Sequence, residues 1–486
     1  MADNQSPAKG LAAKVRALYG VGDFGFTLMS NVETFYFNTF LTNVAMFTPA
    51  LAGTIATITS VIDAALSWVY GVILDSAKPM KWGRYRSWLL ILPWIVPFLF
   101  AFQFVKFSDN VGVSATLIIV AFVISHFVWN IPWTANVTLV SVMGKTPEAR
   151  AQLASSRGTW NNFSGVIFSY IYPTAAAIAA GIIGEQNQIA GAAFILGVFM
   201  AFTYFVHFKI SDGLEEIEDA SASAKQRKPR ASFKDMLQGL GQNPNLIFLI
   251  IADIPKWMVR FVVSGSAIYY FRDVAGRMDL FTIPYPNIAF TYILVSGCMG
   301  VIGAYVAGVL AKMVTGRTMF LFSLFSMAAL TLISYFSYQS PWTVLILMSL
   351  AQIPFGCAYS VTPALYADTA IYSKWKTGKD TQGWVMGLQT VPLKVAIILR
   401  GVVLNAALAA VGYIAPKLEN GAVVNADVAY NFATATDSAK QGIASPFTLI
   451  PAIFLIAGGL IFMFGYKLSK EKVLQYQNEI NAREKK

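Results

Sequence analysis

The chain has 486 residues, of which 56% are hydrophobic and only 13% are charged, and its mean hydropathy is +0.56. A soluble protein of this length carries about 25% charged residues, so the composition excludes an ordinary soluble domain and predicts a helical protein that crosses a membrane many times. The net charge of +11 comes from Lys and Arg in short segments between apolar runs, which is typical of membrane topology and not of a nucleic-acid-binding face. Two cysteines and two histidines give no basis for a disulfide framework or a histidine metal site.

Apolar runs of about 20 residues recur along the chain, and each is long enough to cross a hydrocarbon core about 30 Å thick. We predict twelve transmembrane helices, at residues 19–46, 51–74, 87–106, 112–142, 158–182, 189–209, 245–271, 284–312, 318–338, 342–366, 383–413 and 446–467. The charged, Ser- and Ala-rich segment 209–235 separates two sets of six. The predicted domains are an N-terminal tail (1–18), a six-helix bundle (19–209), a linker (210–241), a second six-helix bundle (242–468) and a C-terminal tail (469–486).

Even-numbered connections and both tails are rich in Lys and Arg, so the positive-inside rule places them in the cytoplasm. A short repeat supports two halves: "GVILDSAKPMKWGR" (71–84) follows the second apolar run, and "GVLAKMVTGR" (308–317) follows the eighth. This pattern resembles the cytoplasmic signature of the major facilitator superfamily, whose transporters contain two six-helix bundles. The expected fold is therefore an all-α polytopic membrane protein of the major facilitator type.

Charged side chains inside the predicted helices cost roughly 2.5–3.5 kcal/mol each, so each needs a partner or a water-filled cavity. The candidates are Asp23, Glu33, Asp63, Asp253, Lys256, Arg260, Lys394 and Arg400, with Arg157 near a helix start. Each one alone is compatible with an ion pair that holds two helices together. As a set they indicate the polar cavity of a transporter or channel.

Three predicted helices carry polar stripes. In the second, Thr59, Ser60, Asp63 and Ser67 share one face, where a carboxylate among hydroxyls suits a proton or a small cation. In the first, Thr27, Ser30, Asn31 and Thr34 form a stripe with Glu33 at its edge. In the fourth, Trp129, Asn130, Trp133, Thr134 and Asn136 combine aromatic planes with amides and a hydroxyl. That combination suits sugars, although the two Trp residues also fit an aromatic belt at the membrane interface.

Three segments resemble one known family. "IDAALSWVYG" (62–71), "KWGRYRSWLLI" (81–91) and "DTAIYSKWKTGKDTQGWVMGLQT" (368–390) are similar to the glycoside–pentoside–hexuronide:cation symporters, and the resemblance runs from residue 19 to about residue 410. It implies sugar transport by alternating access, coupled to H⁺, Na⁺ or Li⁺, with no cofactor. We accordingly expect a monomer in a bacterial inner membrane, with a sugar and the lipid bilayer as its partners.

The resemblance also implies roles for single positions. Cation coupling falls on Asp63 and Lys394, but Ser67 stands where the family has its second acid. The sugar-binding acids of the family fall at Thr27 and Asn130, and a family Trp falls at Thr134. Arg157, Tyr359 and Lys394 match family residues that contact or support the sugar. The full set of expected substrate residues is Thr27, Asn31, Glu33, Trp129, Asn130, Trp133, Thr134, Arg157, Tyr359 and Lys394.

Several alternatives stay open. One carboxylate at Asp63 makes a weaker Na⁺ site than two, which favours H⁺ coupling or uncoupled exchange or uniport, and Lys394 is a hypothetical partner for Asp63. Glu33 either meets the cation or sugar, or pairs with a Lys or Arg of a neighbouring helix. Asp253 can pair with Lys256 or Arg260, leaving one cation over. Neutral glycosides or oligosaccharides are the leading substrates, while the excess of cations favours a hexuronide or glucuronide.

The basic turns have a candidate function of their own. Asp75, Arg84 and Arg86 in the first half, and Lys376 in "KWKTGK" of the second half, are predicted to form a cytoplasmic gate. The alternative is that these cations only set the topology. An enzyme is not expected, because the sequence has no phosphate-binding loop with an acidic metal set and no nucleophile–His pair.

Overall fold

The computed structural model describes residues 13–76, 80–143, 147–215, 240–276, 288–310, 313–378, 382–416, 418–419, 422–423, 425–431 and 433–484. Most of the predicted linker, at 216–239, lies outside these residues. The α-helices are α1 (Ala13–Leu18), α2 (Val21–Thr39), α3 (Pro49–Ser76), α4 (Arg86–Ile91), α5 (Val96–Phe102), α6 (Val111–Met143), α7 (Pro147–Ile183), α8 (Gln188–Ile210), α9 (Pro244–Tyr269), α10 (Ile288–Leu310), α11 (Gly316–Phe336), α12 (Pro341–Leu350), α13 (Gln352–Thr377), α14 (Gln382–Gly387), α15 (Thr390–Ala410), α16 (Asp437–Ala444), α17 (Leu449–Gly465) and α18 (Lys470–Glu484).

Short elements complete the described chain. Two π-helical turns, Phe40–Val44 and Tyr270–Val274, directly follow α2 and α9. A 3₁₀ turn, Glu185–Asn187, precedes α8. The strands β1 (Leu418–Glu419) and β2 (Ala422–Val423) form a small antiparallel pair.

Every predicted transmembrane segment falls on one or two of these helices, but several are broken. In the predicted third segment, Pro93 lies between α4 and α5, where it has no N–H to donate and disfavours a continuous helix. Within the described residues, eight helical segments are long and apolar enough to cross a membrane, or nine if the bent pair α16 and α17 counts as one. Helix α9 is a special case, because Asp253, Lys256 and Arg260 put three charges into its apolar length.

Local sequence explains several helix ends. Asn243 caps α9 by accepting a hydrogen bond from the Leu246 N–H at 3.1 Å, and Pro244 occupies the first turn. Helix α13 ends at Gly378, whose φ of 70° places it in the left-handed region that glycine adopts without strain. These caps fix the ends of two helices that carry candidate site residues.

Contacts divide the chain into two compact units. The first unit comprises Met1–Glu33 and Ile62–Arg227, and the second comprises Thr34–Val61 and Lys228–Lys486. The division therefore cuts α2 and α3 within their lengths. The predicted domains at 19–209 and 242–468 differ from these contact units and stay a prediction.

In the first unit, α8 packs against α5 and α7, while α6 packs against α4 and α5. The approach of α5 to α8 is close at Gly197, where an added Cβ would lie 2.8 Å from the Pro97 Cα. A buried cluster of Tyr70, Leu74, Ile131 and Ala135 joins α3 to α6. This packing holds the polar faces of α3 and α6 against each other.

In the second unit, α9 packs on α15 and α17, and α13 packs on α10 and α11. The close approach of α10 and α13 depends on small residues, since a Cβ at Gly356 would lie 2.6 Å from the Gly300 carbonyl oxygen. The core contains large apolar side chains from α9, α11, α13 and α17, including Leu249, Phe320, Tyr366 and Phe462.

The second unit also contains a polar contact that we name the Tyr269 seam, formed by Asn38, Thr42, Tyr269 and Asn405. The Tyr269 hydroxyl accepts a hydrogen bond from Asn38 Nδ2 at 2.8 Å and lies 2.7 Å from Thr42 Oγ1. Asn405 Nδ2 donates to Asn38 Oδ1 at 2.6 Å. The seam ties the end of α2 to α9 and α15.

Candidate functional site

Two buried carboxylates of the first unit face one imidazole. Glu33 lies on α2, Asp63 on α3 and His126 on α6, and their exposed fractions are 8%, 6% and 5%. Glu33 Oε2 lies 2.7 Å from His126 Nε2, and Asp63 Oδ1 lies 3.2 Å from His126 Nδ1. The imidazole thus has one acid near each of its two nitrogens, with hydrogen-bond geometry at Nε2 and only ion-pair distance at Nδ1.

Neighbouring side chains hold this imidazole in place. Phe122 stacks on the His126 ring with 3.8 Å between centroids and 16° between planes. Asn130, one helical turn further along α6, donates from Nδ2 to Asp63 Oδ1 at 3.0 Å and to the His126 carbonyl at 2.8 Å. The Trp129 ring lies 4.6 Å from the imidazole on another side. The geometry is therefore fixed by both aromatic packing and an amide.

The arrangement suits proton chemistry better than metal binding. His126 directs its two nitrogens at different carboxylates, so the three groups do not converge on a common point as metal ligands would. Consistently, no His, Cys, Asp and Glu group of metal-binding geometry occurs in the described part of the chain. Two carboxylates and one imidazole are groups that can bind and release protons.

His126 is the site residue that the sequence analysis missed. Glu33, Asp63 and Asn130 were all candidates, whereas His126 was considered only as a metal ligand. The sequence does contain a signal, since His126 and Asn130 are spaced to share a face of α6. Glu33 contacts this histidine, whereas the sequence analysis left open contact with the cation or sugar and pairing with a Lys or Arg.

The predicted sugar residues of α2 and α6 lie partly around this cluster. The Phe26 ring lies 5.0 Å from Trp129 and 6.0 Å from Trp133, forming an aromatic group. Asn31 Nδ2 and Trp129 Nε1 are buried donors with no hydrogen-bond partner among the described residues. Such donors are costly when left unpaired, so they are suited to a polar ligand.

Two other predicted sugar residues of this unit are buried or already hydrogen-bonded. Thr27 is 6% exposed on α2. Thr134 Oγ1 donates to the Asn130 carbonyl of its own helix at 2.7 Å. Because this bond uses the hydroxyl proton, Thr134 has only its lone pairs left for a substrate.

Arg157 forms a bidentate ion pair. Its Nε lies 2.8 Å from Asp23 Oδ2 and its Nη2 lies 2.6 Å from Asp23 Oδ1, while Asn136 Nδ2 donates to Asp23 Oδ2 at 3.1 Å. The pair joins α2 to α7 across a mostly buried contact, with side-chain exposures of 4% for Asp23 and 19% for Arg157. Paired charges of this geometry stabilise the helix contact, and the sugar-supporting role of Arg157 stays a prediction.

The second unit has its own buried charges on α9. Lys256 Nζ lies 2.6 Å from Asp253 Oδ1 and donates to Thr362 Oγ1 of α13 at 3.0 Å. Asp253 is fully buried and Lys256 is 1% exposed. Of the two cations that could neutralise Asp253, the structure thus pairs it with Lys256.

The predicted sugar residue Tyr359 lies beside this pair. Lys256 Nζ is 4.8 Å from the Trp257 ring centroid and 5.9 Å from that of Tyr359. Trp257 and Tyr359 meet edge to face at 5.8 Å, and Tyr359 is 46% exposed. Tyr359 therefore extends from a cluster that combines cations with aromatic rings.

The predicted link between Asp63 and Lys394 stays a prediction. Asp63 belongs to the first unit and Lys394, on α15, to the second. Ser67 and Asp75 lie on α3, but their side chains are outside the described part of the structure.

The predicted gate residue Arg86 lies where α4 begins and α8 ends. Its Nη2 lies 2.6 Å from Asp212, and its Nε donates to the Phe208 carbonyl at 3.0 Å. Glu215 accepts from the backbone N–H groups of Tyr85 and Arg86 at 3.0 and 2.9 Å. These N–H groups at the start of α4 have no acceptor within the helix, so the carboxylate stabilises the helix end. Arg86 thus joins two helices of the first unit.

Glu215 was missed by the sequence analysis, and a glycine makes its approach feasible. Gly83 has φ of 110°, and an added Cβ would clash with the Glu215 carboxylate.

The other predicted gate cations are placed as follows. Arg84 is partly buried next to Tyr85. Lys376, at the end of α13, donates to the Gln242 carbonyl at 2.8 Å. Whether these residues gate transport stays a prediction.

The helical architecture and its buried charges define a membrane transporter of the major facilitator fold. A solved structure, that of the nucleoside transporter NupG, is similar with a TM-score of 0.61 at 11% identity, covering 94% of this chain and 100% of that one. The family model for "MFS/sugar transport protein" matches residues 18–470. The chain therefore belongs to the MFS/sugar transport family, which confirms the expected symporter-like family, the fold and a transporter instead of an enzyme.

Two curated relatives are similar over most of their length. A glucuronide carrier protein homolog from Escherichia coli (strain K12) is 23% identical over 476 residues, covering 96% of this chain and 95% of the relative. An isoprimeverose transporter from Lactiplantibacillus pentosus is 21% identical over 418 residues, covering 85% and 83%.

Proposed function

We propose that this protein imports a sugar, in the form of a glycoside or oligosaccharide, together with a proton by alternating access. The observation that carries the proposal is the position of His126 between Glu33 and Asp63 in a buried part of the first unit. Family membership supports sugar transport, and two relatives have names that specify a glucuronide and isoprimeverose.

Proton coupling follows from the chemistry of the three groups. An imidazole is the side chain that most readily exchanges a proton near neutral pH, and here it contacts two carboxylates that can share the proton. A sodium ion would instead need several converging oxygens, and the imidazole nitrogens lie where some of those oxygens would be.

Sugar binding is assigned to the aromatic and amide groups next to the cluster. Phe26, Trp129 and Trp133 offer ring faces to the apolar C–H face of a pyranose. Asn31 Nδ2 and Trp129 Nε1 supply donors that lack partners among the described residues. Because His126 contacts the same Trp129 ring, the proton-binding and sugar-binding groups would be direct neighbours.

The setting of this transport is part of the proposal. By the positive-inside rule, both termini would lie in the cytoplasm. The protein would act as a monomer in a bacterial inner membrane.

Uptake by proteoliposomes tests the proposal. The purified protein is reconstituted, and uptake of radiolabelled neutral and acidic glycosides is measured with an inward pH gradient, with an inward Na⁺ gradient at constant pH, and with neither. We expect accumulation with the pH gradient only. Accumulation with the Na⁺ gradient at constant pH would show that Na⁺ is the coupling ion. Exchange that needs neither gradient would identify a uniporter or exchanger.

A further inference from the structure

The connection that follows α15 packs on the end of α9. We name the described parts of this connection, 411–416, 418–419, 422–423, 425–431 and 433–444, the loop strap. Its helix α16 packs against both α15 and the π-helical turn Tyr270–Val274. The close approach of the two ends of the strap depends on Gly442, where an added Cβ would clash with the Val411 side chain. The strap therefore lies directly on the turn that ends α9.

Two tyrosines of the loop strap bond to one residue of that turn. The Tyr430 hydroxyl donates to the Asp273 carbonyl oxygen at 2.9 Å, and the Tyr413 hydroxyl donates to the Asp273 carboxylate at 3.1 Å. Arg272 donates to the Tyr413 hydroxyl at 2.8 Å and to both carboxylate oxygens of Asp273 at 2.7 Å. Tyr413 is 1% exposed and Asp273 is 6% exposed, so these bonds are shielded from water and favour one position of the strap.

The same tyrosines lead to the Tyr269 seam. The rings of Tyr430 and Tyr413 lie 5.5 Å apart, and Tyr413 meets Tyr269 edge to face at 5.9 Å. The Arg272 guanidinium lies 5.3 Å from the Tyr269 ring centroid, within the range of a cation–π contact. The loop strap, the π-helical turn and the seam thus form one continuous row of contacts, and all of these residues belong to the second unit.

The far end of this row joins two π-helical turns. Tyr269 directly precedes the turn Tyr270–Val274, and its hydroxyl contacts Thr42 in the turn Phe40–Val44 as well as Asn38 on α2. Turns of this kind are rare and often occur at functional positions, where a helix can change direction. Alternating access requires contacts between transmembrane helices to break and form again in each cycle. Whatever holds Tyr269 in place therefore affects how readily the seam opens.

We propose that the loop strap controls how readily the Tyr269 seam opens, with Tyr430 and Tyr413 as positioning residues that hold Tyr269 against Asn38 and Thr42. The inference rests on the alternating access of the proposed function, and it is independent of the sugar and of the coupling ion. Breaking the bonds of the strap to Asp273 should make the seam open more often.

The test measures how often the seam opens, by the rate at which a reporter cysteine reacts with a membrane-impermeant maleimide added to intact cells. Cys298 and Cys357 are first replaced by Ser. The reporter is Ala45→Cys, because Ala45 follows the π-helical turn after α2 and is 3% exposed. A second reporter, Ser334→Cys, lies near the end of α11, is fully buried and bonds within its own helix. The positive-inside rule predicts that both reporters lie near the outer face of the membrane.

Each reporter is combined with Tyr430→Phe, with Tyr413→Phe and with the matched control Tyr305→Phe, so that each variant loses one hydroxyl and keeps its ring. Tyr305 is 75% exposed on α10. We expect Tyr430→Phe, which loses one hydrogen bond, to raise the labelling rate of Ala45→Cys about fivefold. Tyr413→Phe loses two and should raise it about tenfold. The control should leave this rate unchanged, and labelling of Ser334→Cys should stay the same in all variants.

Unchanged labelling of Ala45→Cys in both strap variants would overturn the inference, and so would an absence of labelling in every protein. An equal increase at Ser334→Cys would also overturn it, because general loosening of the fold affects both reporters. The labelling needs no added sugar or ion gradient. Failure of the proposed function appears instead in the uptake experiment, so the two proposals fail in different measurements.

Discussion

The two units differ in whether acidic or basic side chains are in excess among the charges described above. In the first unit one imidazole lies between Glu33 and Asp63, so acids outnumber bases. In the second, Asp253 faces Lys256 while Arg260 adds another positive charge, so bases outnumber acids. Histidine gains and loses its proton near neutral pH, whereas Arg holds its charge. The first arrangement is suited to a transferable proton and the second to a fixed anion.

The largest effect is expected from breaking the compensated pair of the second unit. Asp253→Asn leaves the Lys256 ammonium buried without its anion, which costs about 3–5 kcal/mol of folding free energy. Thermal unfolding in detergent, followed by circular dichroism, should show a clear drop in the midpoint. The double variant Asp253→Asn with Lys256→Met should recover most of it, since an apolar pair replaces the ionic one. An unchanged midpoint in the single variant would contradict the pairing of Asp253 with Lys256.

The next effect concerns coupling in the first unit. Asp63→Asn removes one acid from His126 but keeps an oxygen that can accept from Asn130, so we expect pH-driven accumulation to fall about a hundredfold, the size typical of a lost proton-transfer group. Counterflow of preloaded sugar should persist. The control is Asp109→Asn, because Asp109 is fully exposed and pairs with Lys106 at the surface. Retained pH dependence in Asp63→Asn would show that the proton is carried elsewhere.

A smaller effect separates the role of the imidazole from that of the acids. His126→Gln keeps a hydrogen-bonding side chain between Glu33 and Asp63 but removes the exchangeable ring proton, and should reduce coupled uptake about tenfold and shift its pH profile. His207→Gln is the matched control, because His207 is also buried in the first unit and packs against Tyr19. Equal pH profiles for the two variants would deny His126 a special role.

The smallest effect comes from a partly exposed carboxylate, which serves as the reference for the buried ones. Glu479 on α18 accepts a hydrogen bond from Trp375 Nε1 at 2.6 Å, and this bond lowers the pKa of Glu479 below its usual value of 4.5. A lowered pKa in the folded state stabilises α18 docking above pH about 4.5, and the contribution disappears as pH falls through the folded pKa. Tryptophan fluorescence during an acid titration should report this loss, and Glu479→Gln should remove the pH dependence. A titration identical in both proteins would contradict it.

Most of the helices could be predicted from the sequence, because membrane-spanning helices need long apolar runs. The twelve predicted segments coincide with helices for that reason. The positions at which these helices are interrupted were harder to predict. Pro93 marks the break between α4 and α5 by a known steric rule, but the π turns after α2 and α9 have no comparable sequence signal.

The candidate site was predicted only in part, because periodicity places residues on a helix face but does not choose partners between helices. Glu33 and Asp63 stood out as charges in apolar runs, yet their common contact with His126 depends on how α2, α3 and α6 pack. The same holds for Arg157, whose partner Asp23 lies on another helix. Conversely, Asp253 is spaced to contact either Lys256 or Arg260 on its own helix, and the structure shows the first of these two expected pairs.

The Tyr269 seam has a consequence for the stiffness of the second unit. Asn38 and Thr42 lie about one turn apart, at the end of α2 and in the π-helical turn that follows it, and both contact the same phenol. Because Asn405 also donates to Asn38, this junction is bonded to α9 and α15 at once, so we expect it to be the most rigid part of this segment.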